Sequence, residues 1–289
     1  MSFFTRYLLD QGHSLKLYDI IQTRAQNLAE IYDCQWYDSL FSVISEVDMV
    51  LICAPIKEIP DIVRTIVPDM KQDSILCEIS SLKMGAVTAL KNHGNDVQPL
   101  AIHPMFGPDI KETQNQTIVV VPVSDQDKEV SLAESLFKNM NIMVADAETH
   151  DRIMASILAL PYFMNLAFAC TLSTENLSLM REMAGTTFTV QLAVTQSIVG
   201  ESPELIESLI NDNIFSKDMI NKFIDESRYI RRMLKNKPSH ITKTCERLKE
   251  WMIKDSEYVN ARKIRNELFE LIRARAGTRK KSSCRAHKS

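Results

Sequence analysis

The chain has 289 residues, 45% of them hydrophobic and 25% charged, which is the balance of a folded protein long enough for two cored domains. A formal net charge of −3 supplies no attraction for nucleic acid. Six cysteines are scattered without a CxxC pair or a histidine at ligand spacing, which argues against a metal site and for buried free thiols in a reducing compartment. No basic-then-apolar signal segment opens the chain, so a cytoplasmic location is expected.

In chain order, Phe3, Phe4, Tyr7, Leu8 and Leu9 recur at helical spacing, predicting a helix over 2–11 that Gly12 stops. Leu15 to Tyr18 alternates as a strand that ends in Asp19. Helix, glycine, strand and acid form the second half of a dinucleotide-binding βαβ unit, whose acid meets the ribose hydroxyls and disfavours the extra phosphate of NADP. The plainer reading of Asp19 is a turn-capping aspartate. The first half of that unit, a strand and a glycine-rich turn, does not stand ahead of the helix in this sequence.

A helix over 21–32 follows, then a buried strand over 48–55, a helix over 57–67 and a short strand over 74–79. Further strands are expected at 98–102, 117–123 and 141–145, with a helix over 125–140. Short apolar runs separated by helices predict an α/β fold: a doubly wound, mostly parallel sheet covered on both faces, over residues 1–146. From 147 to 275 the period is helical, with helices over 148–174, 176–184, 188–200, 203–212, 215–236 and 239–273. Their apolar faces call for a second copy of the domain.

Residues 153–172 carry no charge and are long enough to span a bilayer. Ser156, Pro161, Tyr162 and Asn165, and flanks without basic clusters, favour a buried core helix and no membrane. The basic stretch 276–289 reads as a disordered tail without assigned function.

Candidate chemistry gathers at the carboxyl ends of the strands, where ligands of such sheets lie. Ala54 and Pro55 would bring bare backbone up to a cofactor, or simply start a helix. In Glu78-Ile-Ser-Ser-Leu-Lys83, Ser80 and Ser81 either cap the next helix or meet a ligand, and Lys83 could answer a carboxylate. In Ala101-Ile-His-Pro-Met-Phe-Gly-Pro108, a strand exit followed by proline presents His103 rigidly on the same edge.

EISSLK, AIHPMFGP and AETHDRIMASILALPYF resemble the prephenate/arogenate dehydrogenase family of tyrosine biosynthesis, and the likeness runs over most of residues 1–255. The resemblance implies a Rossmann-like NAD-binding domain, NADP being the lesser expectation, and a helical domain that forms a homodimer. It implies oxidative decarboxylation of prephenate or arogenate, with His103 accepting the proton of the ring hydroxyl and Ser81 orienting that hydroxyl. Asp19, Ala54, Pro55 and Ser80 fall to the cofactor, and Lys83, Tyr162, Ser197 and Arg152 to the substrate; no metal is implied. Ser197 stands where members carry an arginine for a substrate carboxylate, and Tyr162 where a histidine is frequent. A serine cannot reproduce a bidentate charged clamp, which leaves Arg152 or Arg181 to supply the charge. The other reading is a catalytically silent dimer that binds a metabolite or a partner protein, favoured by Ser197 and by the missing glycine loop.

Overall fold

The structure is a computed structural model and describes residues 2–93, 96–236 and 239–286. Its contacts divide into two compact units, 1–157 with 207–216, and 158–206 with 217–289.

The first unit is an α/β layer structure. Helix α1 (Ser2–Asp10) leads through Gly12, at φ +85°, into β1 (Lys16–Leu17). Then come α2 (Gln22–Tyr32), β2 (Gln35–Trp36), α3 (Phe41–Ile44), β3 (Met49–Ile52), α4 (Ile59–Ile66), β4 (Ile75–Glu78), α5 (Met84–His93), β5 (Gln98–Pro104), β6 (Thr117–Val120), α6 (Gln126–Leu136), β7 (Asn141–Val144) and α7 (Ala147–Met154). Strands β3 to β7 form one sheet in sequence order, and β1 and β2 form a separate parallel pair. Among the described residues no ladder joins β1 to β3.

Alternation along the strands divides the core in two. Leu76, Ala101, Val119 and Val121 face a cluster with Ile44, Ile59, Val63, Ile66, Val87 and Leu90 from α3, α4 and α5. Cys77, Leu100, Ile102, Ile118 and Val120 face the opposite cluster, with Phe3, Phe4, Tyr7 and Leu8 of α1 and Ala133 and Phe137 near the end of α6. A strand buried on both faces needs apolar residues at every position, which is why these runs are continuous. The apolar stripe of α1 is pinned by its own polar atoms: Tyr7 Oη donates to the Leu136 carbonyl at 3.1 Å, and Arg6 Nη2 to the Ile110 carbonyl at 3.0 Å.

Strands β3, β4 and β5 run parallel, but β6 is antiparallel to β5, and β7 is parallel to β6. The connection 105–116 contains no helix to carry the chain back across the sheet, so it folds directly alongside β5.

The second unit is helical: α8 (Leu160–Leu172), α9 (Leu177–Met183), α10 (Thr186–Val199), α12 (Ser216–Asn236), α13 (Ser239–Met252) and α14 (Ala261–Ala286), with the unit boundary falling inside α11 (Pro203–Asn211). Helix α10 packs on α8 and on α14. Buried Asn165 ties α8 to α10, its Oδ1 accepting from Gln191 Nε2 at 2.8 Å and lying 2.7 Å from Thr195 Oγ1. Between α7 and α8 the helix widens to a π turn over Ala155–Ala159. Pro161 follows, and a proline that lacks its N–H and crowds the preceding turn accounts for the widening.

Four expectations are corrected. The helix expected over 239–273 breaks after Met252, where Asp255 Oδ1 caps a short turn by accepting from Glu257 N at 3.1 Å. The expected disordered tail is helical through Ala286, in keeping with its alanine, arginine and lysine content; 287–289 lie outside the described residues. Of the described cysteines Cys77 alone is buried, Cys34 and Cys53 are partly covered, and Cys170 and Cys245 are exposed. Finally, Ala147–Leu172 is long and apolar enough to cross a membrane, and only 22% of its most apolar window is buried within the chain, so this helix is not covered by its own neighbours.

Leu100 is sealed between the sheet and α1 and α6. Leu100→Ala is expected to lower the unfolding free energy by about 2–5 kcal/mol in urea titration, the cost of lost transfer energy plus a cavity. A loss below about 1 kcal/mol would show that this face is not close-packed.

Candidate active site

The strand register builds the site. Ile52 of β3, Glu78 of β4 and Ala101 of β5 form one row across the parallel strands. Two residues further along each chain stand Ala54, Ser80 and His103. The carboxyl edge therefore gathers the loop after β3, the loop after β4 and the last turn of β5. Ala54 is partly covered and Pro55 exposed, with Pro55 starting a short 3-10 turn.

Beneath that edge lies a buried polar group. Glu78 and Lys83 are both fully buried and form an ion pair through Oε1 and Nζ. Glu78 Oε2 also accepts from Ser80 N at 2.9 Å, and the Ser80 hydroxyl lies 2.7 Å from the same oxygen and 2.9 Å from the Leu82 carbonyl. Burial pulls the Lys83 ammonium below the ordinary lysine value, against the opposing attraction of Glu78.

Helix α7 supplies the second part. Asp151 Oδ1 accepts the Lys83 backbone N–H at 2.8 Å and Oδ2 accepts that of Met84 at 3.0 Å, so this side chain caps the first turn of α5 from another element. The same Oδ1 lies 2.7 Å from His150 Nδ1, and His150 Nε2 lies 3.0 Å from His103 Nδ1. Asp151, His150 and His103 are 3%, 1% and 5% exposed. Buried Asn213 holds the Asp151 carbonyl, Nδ2 donating at 2.7 Å. Burial first, then the Lys83 charge and His150, hold the His103 imidazole well below its ordinary value of 6.5. His103 is thus a neutral imidazole at neutral pH, with Nδ1 engaged. Its Nε2 makes no hydrogen bond among the described residues and is not among the sealed, unpartnered atoms.

The residues singled out from the sequence separate into groups. His103, Ser81, Ala54 and Pro55 come to one sheet edge, and Ser81 is partly exposed with no hydrogen bond among the described residues. Ser80 and Lys83 are turned to the interior: the serine is spent on Glu78 and Leu82, and the carboxylate that Lys83 answers is Glu78. Asp19 follows β1, and its Oδ1 accepts from Ile21 N at 2.8 Å, the turn-capping geometry. Arg152 is held at the surface by Glu148, Nη2 to Oε1 at 2.5 Å, with its guanidinium 4.3 Å from the Phe215 ring centroid. Tyr162 and Ser197 belong to the helical unit, where burial and then Glu201 raise the Tyr162 phenol. Ser197 is exposed on α10, and one residue before it Gln196 takes the Arg181 guanidinium at 2.9 Å.

His150 and Asp151 were not singled out as candidates. Two adjacent polar residues one turn into α7, separated by Arg152 from the uncharged run that starts at Ile153, are the sequence signal that marks them.

Known proteins agree with this architecture. Residues 4–145 match the family described as "Prephenate dehydrogenase, nucleotide-binding domain", and residues 146–254 match "Prephenate dehydrogenase, dimerization domain". A protein of Methanocaldococcus jannaschii named "Probable arogenate/prephenate dehydrogenase" is 22% identical over 242 residues, covering 81% of this chain and 54% of its own length. The T-protein of Enterobacter agglomerans is 25% identical over 186 residues, covering 63% of this chain and 49% of its own length. The chain thus spans about half the length of these curated relatives. Among solved structures, prephenate dehydrogenase from A. aeolicus in complex with hydroxyphenyl propionate and NAD+ shares the fold, with a TM-score of 0.72, 17% identity, and coverage of 88% of this chain and 92% of that one. Synechocystis arogenate dehydrogenase aligns with a TM-score of 0.65, 17% identity, and coverage of 89% and 95%. With both domain families matched in order from residue 4 to residue 254, the chain belongs to the prephenate dehydrogenase family.

Proposed function

We propose that this chain is an NAD-dependent dehydrogenase that oxidatively decarboxylates prephenate or arogenate on the route to tyrosine. The observation that carries the reading is His103: a buried, neutral imidazole with one ring nitrogen engaged, at the carboxyl edge of a nucleotide-binding sheet.

The residues present fit a dinucleotide at this edge. Asp19 keeps one carboxylate oxygen beyond its turn bond for ribose hydroxyls, and Ala54 and Pro55 offer a strand end without a bulky side chain. NAD, when bound, supplies the hydride acceptor. The substrate ring carries a hydroxyl and a hydrogen on one carbon and a carboxylate on the opposite one. His103 takes the hydroxyl proton as the hydride leaves that carbon, and the O–H pair becomes the second bond of a carbonyl. The carboxylate then departs as carbon dioxide, its bonding electrons enter the ring, and the carbonyl π pair returns to oxygen, which takes back a proton as the ring becomes an aromatic phenol. Ser81, which makes no hydrogen bond among the described residues, would align the hydroxyl. Aromatisation supplies driving force, so positioning is the main task of the protein.

The helical unit fits a homodimer. Met164, Leu177, Leu179, Met183, Val194 and Val199 are all more than 40% exposed, on helices α8 to α10 matched to a dimerization domain. A second copy would cover the apolar helix that this chain leaves open.

His103→Ala is expected to lower kcat for prephenate or arogenate with NAD by about 10²–10⁴-fold, the scale of a lost general base. Because His103 is held well below 6.5, the neutral, working form persists as pH falls, and the acidic limb of kcat/KM is expected below pH 6.5. NAD-dependent turnover that survives in His103→Ala would remove this assignment, and ligand binding without turnover in the wild type would favour the silent dimer. Light scattering is expected to give about twice the chain mass of 33.0 kDa. In Met183→Asp combined with Leu179→Asp the mass is expected to fall to that of one chain, whereas a monomeric wild type would contradict the dimer.

A further inference from the structure

The protonation of two imidazoles can be read from the carboxylate that anchors them. Asp151 receives a backbone N–H on each oxygen, from Lys83 at 2.8 Å and from Met84 at 3.0 Å, the geometry of an acceptor-only carboxylate. His150 Nδ1, 2.7 Å from the same carboxylate, is therefore the donor of that contact. In its neutral form His150 then carries its one N–H on Nδ1 and presents a lone pair at Nε2. His103 Nδ1, 3.0 Å away, must then donate to it. What remains on His103 is a lone pair on Nε2, the ring nitrogen without a hydrogen bond among the described residues and not sealed by them. The opposite assignment would set a nitrogen lone pair against the Asp151 carboxylate at 2.7 Å.

We propose that His150 is a positioning residue: held by Asp151, it locks His103 in the tautomer whose Nε2 accepts the proton of the substrate hydroxyl. The proposal rests on His103 being the base of the dehydrogenase reading above. It adds why the base is correctly loaded before substrate arrives. A free imidazole divides between two tautomers; here one is enforced, so no proton has to be moved from Nε2 first. During the reaction the substrate O–H bond breaks and an Nε2–H bond forms. The resulting imidazolium donates through Nδ1 to His150 Nε2, whose other nitrogen remains on Asp151. The charged groups around His103 are Lys83, compensated by Glu78, and Asp151 beyond His150. Lys83 opposes the imidazolium, which favours return of the proton once the hydride has left.

The test has two arms, both on the full chain. Long-range proton–nitrogen spectra of protein labelled with ¹⁵N-histidine distinguish the two neutral tautomers, with assignment from His103→Gln and His150→Gln. In the wild type both His103 and His150 are expected as singly protonated Nδ1–H rings; a His103 that carries its proton on Nε2, or a His150 protonated on both nitrogens, would overturn the proposal. In the kinetic arm, His150→Leu is expected to lower kcat with NAD and prephenate or arogenate by about 100-fold while KM changes by less than about threefold. His150→Gln, whose carbonyl can accept from His103 Nδ1, is expected to recover at least about tenfold of that loss. A folded His150→Leu that keeps wild-type kcat, or that loses kcat while His103 retains its tautomer, would refute the role. If His150→Leu fails to fold, the wild-type tautomers and His150→Gln decide. If the wild type turns over neither substrate, the dehydrogenase reading fails, and the spectra still judge the relay separately.

Discussion

The carboxylate of Asp151 is the constraint on which the site depends. It stands one turn into α7 and takes the amides of Lys83 and Met84, just before and at the first residue of α5, so it fixes the start of a helix that packs under the sheet. Through Oδ1 it also fixes His150, and through His150 the ring of His103. The neighbouring Glu78–Lys83 pair shares the buried region, with Lys83 contributing its amide to Asp151 and its ammonium to Glu78. Burying five polar side chains is costly unless each is partnered, and here each has a partner. Breaking a buried ion pair by removing one member costs about 3–5 kcal/mol, so the group is sensitive to change at any of its charged members.

The sheet supplies the rest. Parallel pairing of β3, β4 and β5 brings three strand ends into one register row, and the loops beyond that row carry the backbone of Ala54 and Pro55, the Ser81 hydroxyl and His103. Strands buried on both faces can hold that register because a slip of one residue would exchange the two apolar clusters. Cys77 and Leu76 lie on opposite faces in this way, as do Ala101 and Ile102. The family's dimerization domain begins at residue 146, whereas the contacts of this chain assign α7 to the nucleotide-binding unit. Asp151 and its hydrogen bond from Asn213 explain that difference, because they tie the first turns of α7 and residues after α11 to α5.

The strands that end at the site were legible because their apolar runs stop at turn residues: Ile52 before Ala54 and Pro55, Glu78 before two serines, and His103 before Pro104. The helix over α1 was legible from the spacing of its aromatic residues. Strand β2, only Gln35 and Trp36, and the four-residue α3 are too short to show a period. The direction of β6 was not legible, since it follows from the absence of a helix in 105–116 rather than from any residue in the strand. Lys83 was misplaced because its partner, Glu78, is five residues earlier across a turn whose path no propensity reveals. The His103–His150 contact joins residues 47 apart and exists only once α7 has packed on α5.

Amide hydrogen exchange in Asp151→Ala, read together with the His103 tautomer in the same sample, tests most directly that one carboxylate holds both the helix start and the His103 ring. Loss of protection at Lys83 and Met84 by about tenfold, the scale of a lost cap, is predicted, together with loss of the single His103 tautomer while β4 and β5 amides stay protected. Unchanged protection at Lys83 and Met84, or a His103 tautomer that survives without Asp151, would contradict it.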